Sequence, residues 1–285
     1  MTMLIRLGYD IQFAVNSPLA YVAQLRVHPT RMSELLEPDV LHVESDSIIG
    51  EIATHEYSDT YGNICTRFLA PPGRLRLWNS TLIGDPGLTD PVAWDAKEIP
   101  PQELPDNVLR FLLNSRYCES DQLSAIAFEL FGNVAPGWNR VQAICDWVHS
   151  KVTFNYGATR PTKTALDVFT ERVGVCRDYQ HLAVTFCRCL NIPARYAAGY
   201  LGDIGVPLRL PMDFSAWFEV YLDHKWWAFD ARNNMPRLGR VLMATGRDAA
   251  DVAFLTSFGS STLTNFFVVS EVESGEASNS PLHAL

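Results

Sequence analysis

The spacing of the apolar residues changes from period two to a helical period inside a stretch rich in proline and glycine. From residue 1 to about residue 90, apolar and polar side chains alternate, as in residues 21–27, and turn-forming clusters interrupt the alternation. Alternation of this kind is typical of half-buried strands. The first third of the chain therefore predicts an antiparallel sandwich of short strands.

The change of period predicts a domain boundary. Glycine and proline gather at residues 84–101, where the strand pattern stops. We expect an N-terminal β-sandwich over residues 1–98 and a second domain over 99–272. Residues 273–285 are small, polar and without pattern, which predicts a flexible tail.

The second domain is expected to be α+β, with helices packed on an antiparallel sheet. Its apolar spacing predicts helices at residues 106–116, 121–131, 138–152 and 164–173, one helix opened by Cys176, a strand at 195–201, and a hairpin of 215–222 with 225–231. No internal repeat is visible, so a polymer-forming structural protein gains no support.

Composition excludes some classes of partner. The chain has 285 residues, 47% of them hydrophobic, and a formal charge of −9 with no basic run. These features argue against nucleic acid or an anionic membrane as a partner. No segment reaches transmembrane length, and the first residues carry charges where a signal peptide is apolar. A cytoplasmic location is expected.

The six cysteines form no C-x-x-C pair, and Cys187 and Cys189 point apart on a helix. A structural zinc site is therefore not expected, and neither a metal nor a cofactor is predicted. Disulfides are not excluded by counting, but the lack of a secretory signal fits a reducing compartment.

One of these cysteines is placed for chemistry. Residues 174–190 read GVCRDYQHLAVTFCRCL, which puts Cys176 after a glycine turn at the start of an amphipathic helix. The first helical turn carries unpaired N–H groups and about half a positive charge, which favours thiolate. Arg177 adds positive charge and Asp178 can accept hydrogen bonds from that turn. An acidified nucleophile is predicted; the alternative is a cysteine that only packs.

The predicted hairpin collects polar residues on one face. A turn at Asp223 and His224 places Leu222 opposite Lys225 and aligns Trp217 with Asp230. The polar face then carries Ser215, Trp217, Glu219 and Asp230, and we expect it to be free for chemistry, with the opposite apolar face covering the core. Trp217, Glu219 and Asp178 are the candidate substrate-binding residues. Glu219 could alternatively serve as a base, or simply face solvent or Arg232.

Two segments resemble a known family. The stretches GVCRDYQHLAVTFCRCLNIPARYAAGYL and SAWFEVYLDHKWWAFDARNN look like the transglutaminase-like superfamily of papain-type cysteine enzymes, over about residues 138–234. The strand-rich N-terminal part and residues 239–252 look like bacterial members with an extra N-terminal β-domain. The resemblance implies a Cys-His-Asp arrangement acting on a peptide or carboxamide, with Cys176 as nucleophile and Asp230 as the acid that orients the histidine.

The sequence departs from the family motif at the histidine. Ser215 occupies that position, directly before Ala216 and Trp217. A serine hydroxyl cannot hold a proton reversibly near neutral pH, and general acid–base help is worth about 10²–10⁴-fold. His149, His181 and His224 are possible replacements, although His181 is expected to point away from the thiol, His224 sits at a distant turn, and His149 could approach only through tertiary folding.

Two functions from different classes follow. The first is a cysteine acyl-transferase or peptidase that acts on a peptide or protein substrate with a reorganised proton relay through Cys176, Ser215 and Asp230. The second is a catalytically weakened domain that binds peptides or partner proteins in the old cleft. The sequence indicates no calcium loop and leaves the oligomeric state open.

Overall fold

Three antiparallel four-stranded sheets, a parallel pair of short strands (residues 153–154 and 173–174) and five α-helices are the main elements of residues 2–273, the part of the chain that the computed structural model describes. The strands are β1 (Met3–Val15), β2 (Leu19–Ala23), β3 (His42–Ser45), β4 (Thr54–Ser58), β5 (Ile64–Ala70), β6 (Gly73–Asp85), β7 (Thr153–Phe154), β8 (Val173–Gly174), β9 (Ala194–Leu201), β10 (Ser215–Leu222), β11 (Lys225–Phe229), β12 (Arg240–Gly246), β13 (Leu255–Ser257) and β14 (Ser261–Val272). The α-helices are α1 (Asp106–Leu109), α2 (Ser120–Phe131), α3 (Trp138–Lys151), α4 (Ala165–Glu171) and α5 (Cys176–Cys189). Short 3₁₀ helices cover Pro29–Glu34, Pro101–Glu103, Arg110–Leu112 and Tyr156–Ala158.

The N-terminal strands form the predicted sandwich. One sheet has the order β14-β1-β6-β3 and the other β13-β2-β5-β4. Alternation sets the inner face: along β6, Leu75 and Leu77 are fully buried while Arg74 is exposed. Side chains from both sheets, such as Leu7 and Tyr21, share one apolar core. The expected α+β class with an antiparallel β-sandwich is confirmed.

The C-terminal strands belong to this sandwich, not to the second domain as the boundary 99–272 expected. β14 pairs with β1 from Ile5↔Val272 to Val15↔Ser261, and β13 pairs with β2. A strand pattern predicts that a segment is extended but not which strand it pairs with. The pairing of the C-terminal strands with the N-terminal sheets therefore could not be predicted from the sequence. The predicted tail from residue 274 onward lies outside the described residues.

The second domain is built around α5. This helix packs against the sheet β11-β10-β9-β12 and is flanked by α2, α3 and α4, so that nearly every residue after its first turn is buried. The helices expected at 121–131, 138–152 and 164–173 are present within one or two residues. The helix expected at 106–116 is shorter, because α1 passes into a 3₁₀ turn that ends at Leu112. The carbonyl of the next residue, Leu113, accepts a hydrogen bond from the guanidinium of the buried Arg188.

The hairpin has the predicted register. Leu222 pairs with Lys225 and Phe218 with Phe229. Asp223 and His224 have φ angles of 46° and 62°, the two positive values of a type I′ turn. The predicted alignment of Trp217 with the Asp230 position follows from this pairing.

The sandwich and the second domain share a core. Tyr200 and Val241 from the sheet of the second domain, and Phe214 directly before β10, pack in the same apolar cluster as Leu7 and Tyr21 of the sandwich. The start of β10 therefore lies where the two domains meet. In the part of the chain described, no helix is both long enough and apolar enough to cross a membrane.

Candidate active site

Cys176 is the first residue of α5, where a tight entry brings the chain into the helix. Val175 is extended, and its N–H donates to Oδ2 of Asp178 at 3.0 Å. Gly174 is required here because a Cβ at that position would lie 2.6 Å from Cβ of Asp178. Asp178 is fully buried and also accepts from Arg177 at 2.9 Å. Its carboxylate therefore fixes the helix start, and its expected role in substrate binding is corrected.

The half-buried Cys176 opens into a cleft of about 510 Å³. Polar side chains from four parts of the chain line it together with the cysteine: His149, Tyr156, Asp213, Ser215 and Arg232. Leu201, Pro211 and Phe214 are among its apolar lining residues. The loop of residues 202–213 before β10 supplies a large part of its wall. Such a mixed lining suits an extended substrate with both apolar and polar groups.

Burial dominates the electrostatics of the sulfur. Desolvation raises the pKa of the Cys176 thiol, the positive charge of Arg232 lowers it, the negative charge of Asp213 raises it, and the backbone N–H groups of Ala216 and Arg177 lower it. The net result is a pKa above its ordinary value, opposite to the predicted acidification. The helix start is favourable for thiolate, but the protein removes more water from the sulfur than the sequence could indicate.

Asp230 is held by the cysteine helix. Its Oδ1 accepts from Nε2 of Gln180 at 3.0 Å and from the N–H groups of Arg232 and Asn233, both at 3.0 Å, while its Oδ2 accepts from Nδ2 of Asn233 at 2.8 Å. Gln180 Nε2 also lies 3.2 Å from the carbonyl of Ala216. The structure thus joins α5, β10 and Asp230 through one glutamine.

Ser215 lines the cleft at the start of β10 but does not contact this network. Within residues 2–273 its hydroxyl makes no side-chain hydrogen bond, and it is only 7% exposed. The structure therefore brings Cys176 and Ser215 into one cleft and places Asp230 behind it, bound to Gln180.

The predicted polar face of the hairpin is covered. Trp217 is 1% exposed, packs with Ala197 and Leu242, and has the guanidinium of Arg240 4.6 Å from its ring centre. Arg240 is itself paired with Asp90 at 2.9 Å. Trp217 therefore does not line the cleft, and its expected role in substrate binding is corrected.

Glu219 is also excluded from the cleft. Its Oε2 accepts from Nε of Arg195 at 2.7 Å, on the neighbouring strand. Cys176 instead packs over the opposite face of the sheet, against Ala198 and Ala216. Alternation showed which residues share a face, but not which face α5 would cover. The expectation that Glu219 binds substrate is therefore wrong, and Glu219 is not placed to act as a base for Cys176.

The three histidines considered as replacements for the histidine of the family motif lie in different environments. His181 is fully buried, accepts from the N–H of Ala249 at 3.1 Å and stacks on Tyr117. His224 is at the hairpin turn. His149 lines the cleft, where its Nδ1 donates to the carbonyl of Arg232 at 2.8 Å. Only His149 is thus brought to the same cavity as Cys176.

The sequence interpretation missed four residues of this site: Tyr156, Gln180 and Asp213 altogether, and Arg232 as a charge acting on the sulfur. Gln180 was detectable in principle, because it lies four residues after Cys176 and so on the same helix face. The others come from loops and a short 3₁₀ helix, whose positions no periodicity reveals. Among residues 2–273 no group of three or more His, Cys, Asp or Glu side chains is arranged to hold a metal ion.

Comparison with known proteins gives consistent matches. A sequence model described as the transglutaminase-like superfamily matches residues 124–231. The crystal structure of a candidate cysteine protease from Cytophaga hutchinsonii is 31% identical, covers 98% of this chain and 93% of its own, and superimposes with a TM-score of 0.82. An uncharacterised protein of Mycobacterium leprae is 27% identical over 210 residues, which are 70% of this chain and 74% of the relative. An uncharacterised protein of Mycobacterium tuberculosis is 27% identical over 216 residues, 68% of each chain.

Proposed function

This chain belongs to the transglutaminase-like superfamily, and on that premise we propose that it is a cysteine-dependent enzyme that transfers an acyl group from a peptide or carboxamide substrate. The observation that carries the proposal is the position of Cys176, at the start of α5 and open to a cleft of about 510 Å³. The candidate cysteine protease from Cytophaga hutchinsonii, which aligns over nearly the whole chain, supports the same class of chemistry.

In this proposal the sulfur of Cys176 attacks the carbonyl carbon of the substrate. A thioester forms as the C–N bond breaks, and water or an amine then releases the acyl group. The N–H groups of Arg177 and Ala216 and the charge of Arg232 favour negative charge on the sulfur. They counteract, in part, the cost of desolvating the thiolate.

Asp230 acts as a positioning residue rather than as a partner of a histidine. Its contact with Gln180 ties α5 to the strand that carries Ser215 and Ala216. The sulfur is thereby held at a fixed distance from the cleft wall. Such preorganisation is worth most when reacting atoms must be placed within fractions of an ångström.

A second candidate function is peptide binding without turnover. Two observations favour it: Ser215 stands where the family has histidine, and Asp230 already has hydrogen bonds on both carboxylate oxygens. In this alternative the cleft retains its shape and its affinity for peptides, while the thiol remains protonated.

The test combines turnover with covalent trapping. A peptide library bearing amide and glutamine side-chain carboxamide groups is incubated with hydroxylamine, and hydroxamate release is followed together with the intact mass of the protein. We expect hydroxamate and a thioester adduct that the Cys176→Ala variant lacks. Cys65→Ala, in the sandwich, is the matched control and should keep both. Release that persists in Cys176→Ala would refute the enzyme proposal, and binding without an adduct would favour the second candidate.

A further inference from the structure

We propose that Asp213 performs the proton transfer that Ser215 cannot, as the general base and acid for Cys176. The inference rests on the proposed function and names the residue that completes its relay. A carboxyl group can do this work because, unlike a hydroxyl, it gains and loses a proton within the accessible pH range.

The position of Asp213 supports the assignment. It lies two residues before Ser215 in the loop that leads into β10, and it lines the same cleft as Cys176. Its negative charge acts on both the Cys176 sulfur and the Tyr156 hydroxyl, so the three groups are close in space. Asp213 is exposed to solvent and lines the cleft, so that water and substrate both have access to it.

The environment of Asp213 favours proton transfer by its carboxyl group. Desolvation raises the pKa of this carboxyl, while the N–H of Phe214 and the charge of Arg232 lower it, and the net shift is upward from the ordinary value. A carboxyl closer to neutrality both accepts and returns a proton more readily. The titratable or charged groups that share the cleft with it are Cys176 on α5, Arg232 after β11, Tyr156, His149 at the end of α3, and Asp203, Arg209 and Arg237.

Each step balances. The Asp213 carboxylate takes the S–H proton as the sulfur of Cys176 bonds to the carbonyl carbon. The protonated carboxyl then gives this proton to the leaving amine as the C–N bond breaks, which leaves a thioester. Asp213 next removes a proton from the attacking water, and the C–S bond breaks to release a carboxylic acid. The proton held by Asp213 returns to the sulfur, so the sum is amide and water to acid and amine.

Other carboxylates near the site are already engaged. Glu219 is bound to Arg195 on the far face of the sheet, and Asp230 accepts hydrogen bonds on both oxygens. Asp203 accepts from Arg237 at 3.2 Å and from the N–H of Arg209 at 2.7 Å. By contrast, among residues 2–273 the Asp213 carboxylate forms no ion pair, and the adjacent N–H of Phe214 is the hydrogen-bond donor that acts on it.

The decisive experiment compares Asp213→Asn with Asp223→Asn, which alters an exposed carboxylate of the hairpin turn outside this cleft. We measure kcat/KM against pH for the most active substrate of the hydroxamate assay, and iodoacetamide alkylation of Cys176 at pH 7.5. Asp213→Asn should lower kcat/KM about 10²-fold or more, the usual worth of a general acid–base, and remove the acid limb of the profile. The same variant should alkylate faster, because loss of the negative charge lowers the pKa of the thiol. Asp223→Asn should change neither.

A double variant restores the relay by another route. Asp213→Asn with Ser215→His should recover turnover, with an acid limb near the ordinary histidine pKa of about 6.5. An enzyme that needs Cys176 but keeps its rate and acid limb in Asp213→Asn would overturn the inference and leave the proposed function intact. The inference would also be overturned if the acid limb of the kcat/KM profile disappeared in His149→Gln and not in Asp213→Asn. It would be overturned as well if the alkylation rate of Cys176 fell together with turnover in Asp213→Asn. Turnover that persists without Cys176 would defeat the proposed function itself.

Discussion

The side-chain amide of Gln180 donates to the carboxylate of Asp230 at 3.0 Å, so the acid that the resemblance pairs with a histidine is held instead by the cysteine helix. Gln180 is fully buried and its Oε1 also accepts from the N–H of Ala231 at 3.1 Å. The hydrogen bonds of this one side chain thus connect α5 to the start of β10 and to the residues that follow β11. This contact has consequences for stability as well as for the geometry around Cys176.

Replacement of Gln180 by alanine should lower the free energy of unfolding by about 2–3 kcal/mol, because a buried carboxylate, a carbonyl and an N–H each lose a partner. Denaturant titration followed by tryptophan fluorescence measures the change. Gln122→Ala, on the exposed side of α2, is the control and should stay within about 0.5 kcal/mol of the parent. Equal stabilities for the two variants would show that the Gln180 network contributes nothing to folding.

Arg232 should govern the reactivity of Cys176. Its charge is the largest influence that lowers the pKa of the thiol, so Arg232→Gln should raise that pKa and slow iodoacetamide alkylation at neutral pH about 3- to 10-fold, since one pKa unit is a tenfold change in thiolate. Arg232→Lys keeps the charge and should retain most of the rate. Arg209→Gln removes an exposed charge of the same cleft that is not among the main influences on the pKa of the thiol. A rate in Arg232→Gln as fast as in Arg209→Gln would contradict the assignment.

His181 should make the fold sensitive to acid. Burial lowers the pKa of this histidine well below its ordinary value, with Arg177 and Arg188 adding to the shift. The folded state therefore binds fewer protons than the unfolded state, so stability is full above about pH 6.5 and falls as the pH drops below it, by up to about 1.4 kcal/mol per pH unit. His181→Gln should flatten the dependence of unfolding free energy on pH between 6.5 and 5. An unchanged slope would rule out His181 as its source.

His224 provides the control for this measurement. It lies exposed at the hairpin turn, so His224→Gln should leave the slope as it is in the parent. His28 is also buried with a lowered pKa, through desolvation and Arg195, and should account for part of the acid sensitivity that remains in His181→Gln.

Local patterns in the sequence determined the elements of this protein. Period-two spacing predicted the sandwich strands, and the turn at Asp223 and His224 fixed the hairpin register because a two-residue loop leaves no freedom in strand pairing. The glycine turn and helical spacing after it placed Cys176 at the start of α5. These features depend on contacts between near neighbours in the chain, which is why they could be read without a structure.

The tertiary structure alone decided what surrounds the cysteine. α5 covers the Ala216 face of the sheet, so Trp217 and Glu219 are removed from the cleft. Segments distant in sequence bring Asp213, Arg232 and His149 to it: two loops and the end of α3. Desolvation of the sulfur likewise depends on how many atoms from other elements pack around it, and it reverses the pKa shift that the helix start alone predicts. Long-range packing is set by the sum of many weak contacts, and no local pattern in the chain encodes that sum.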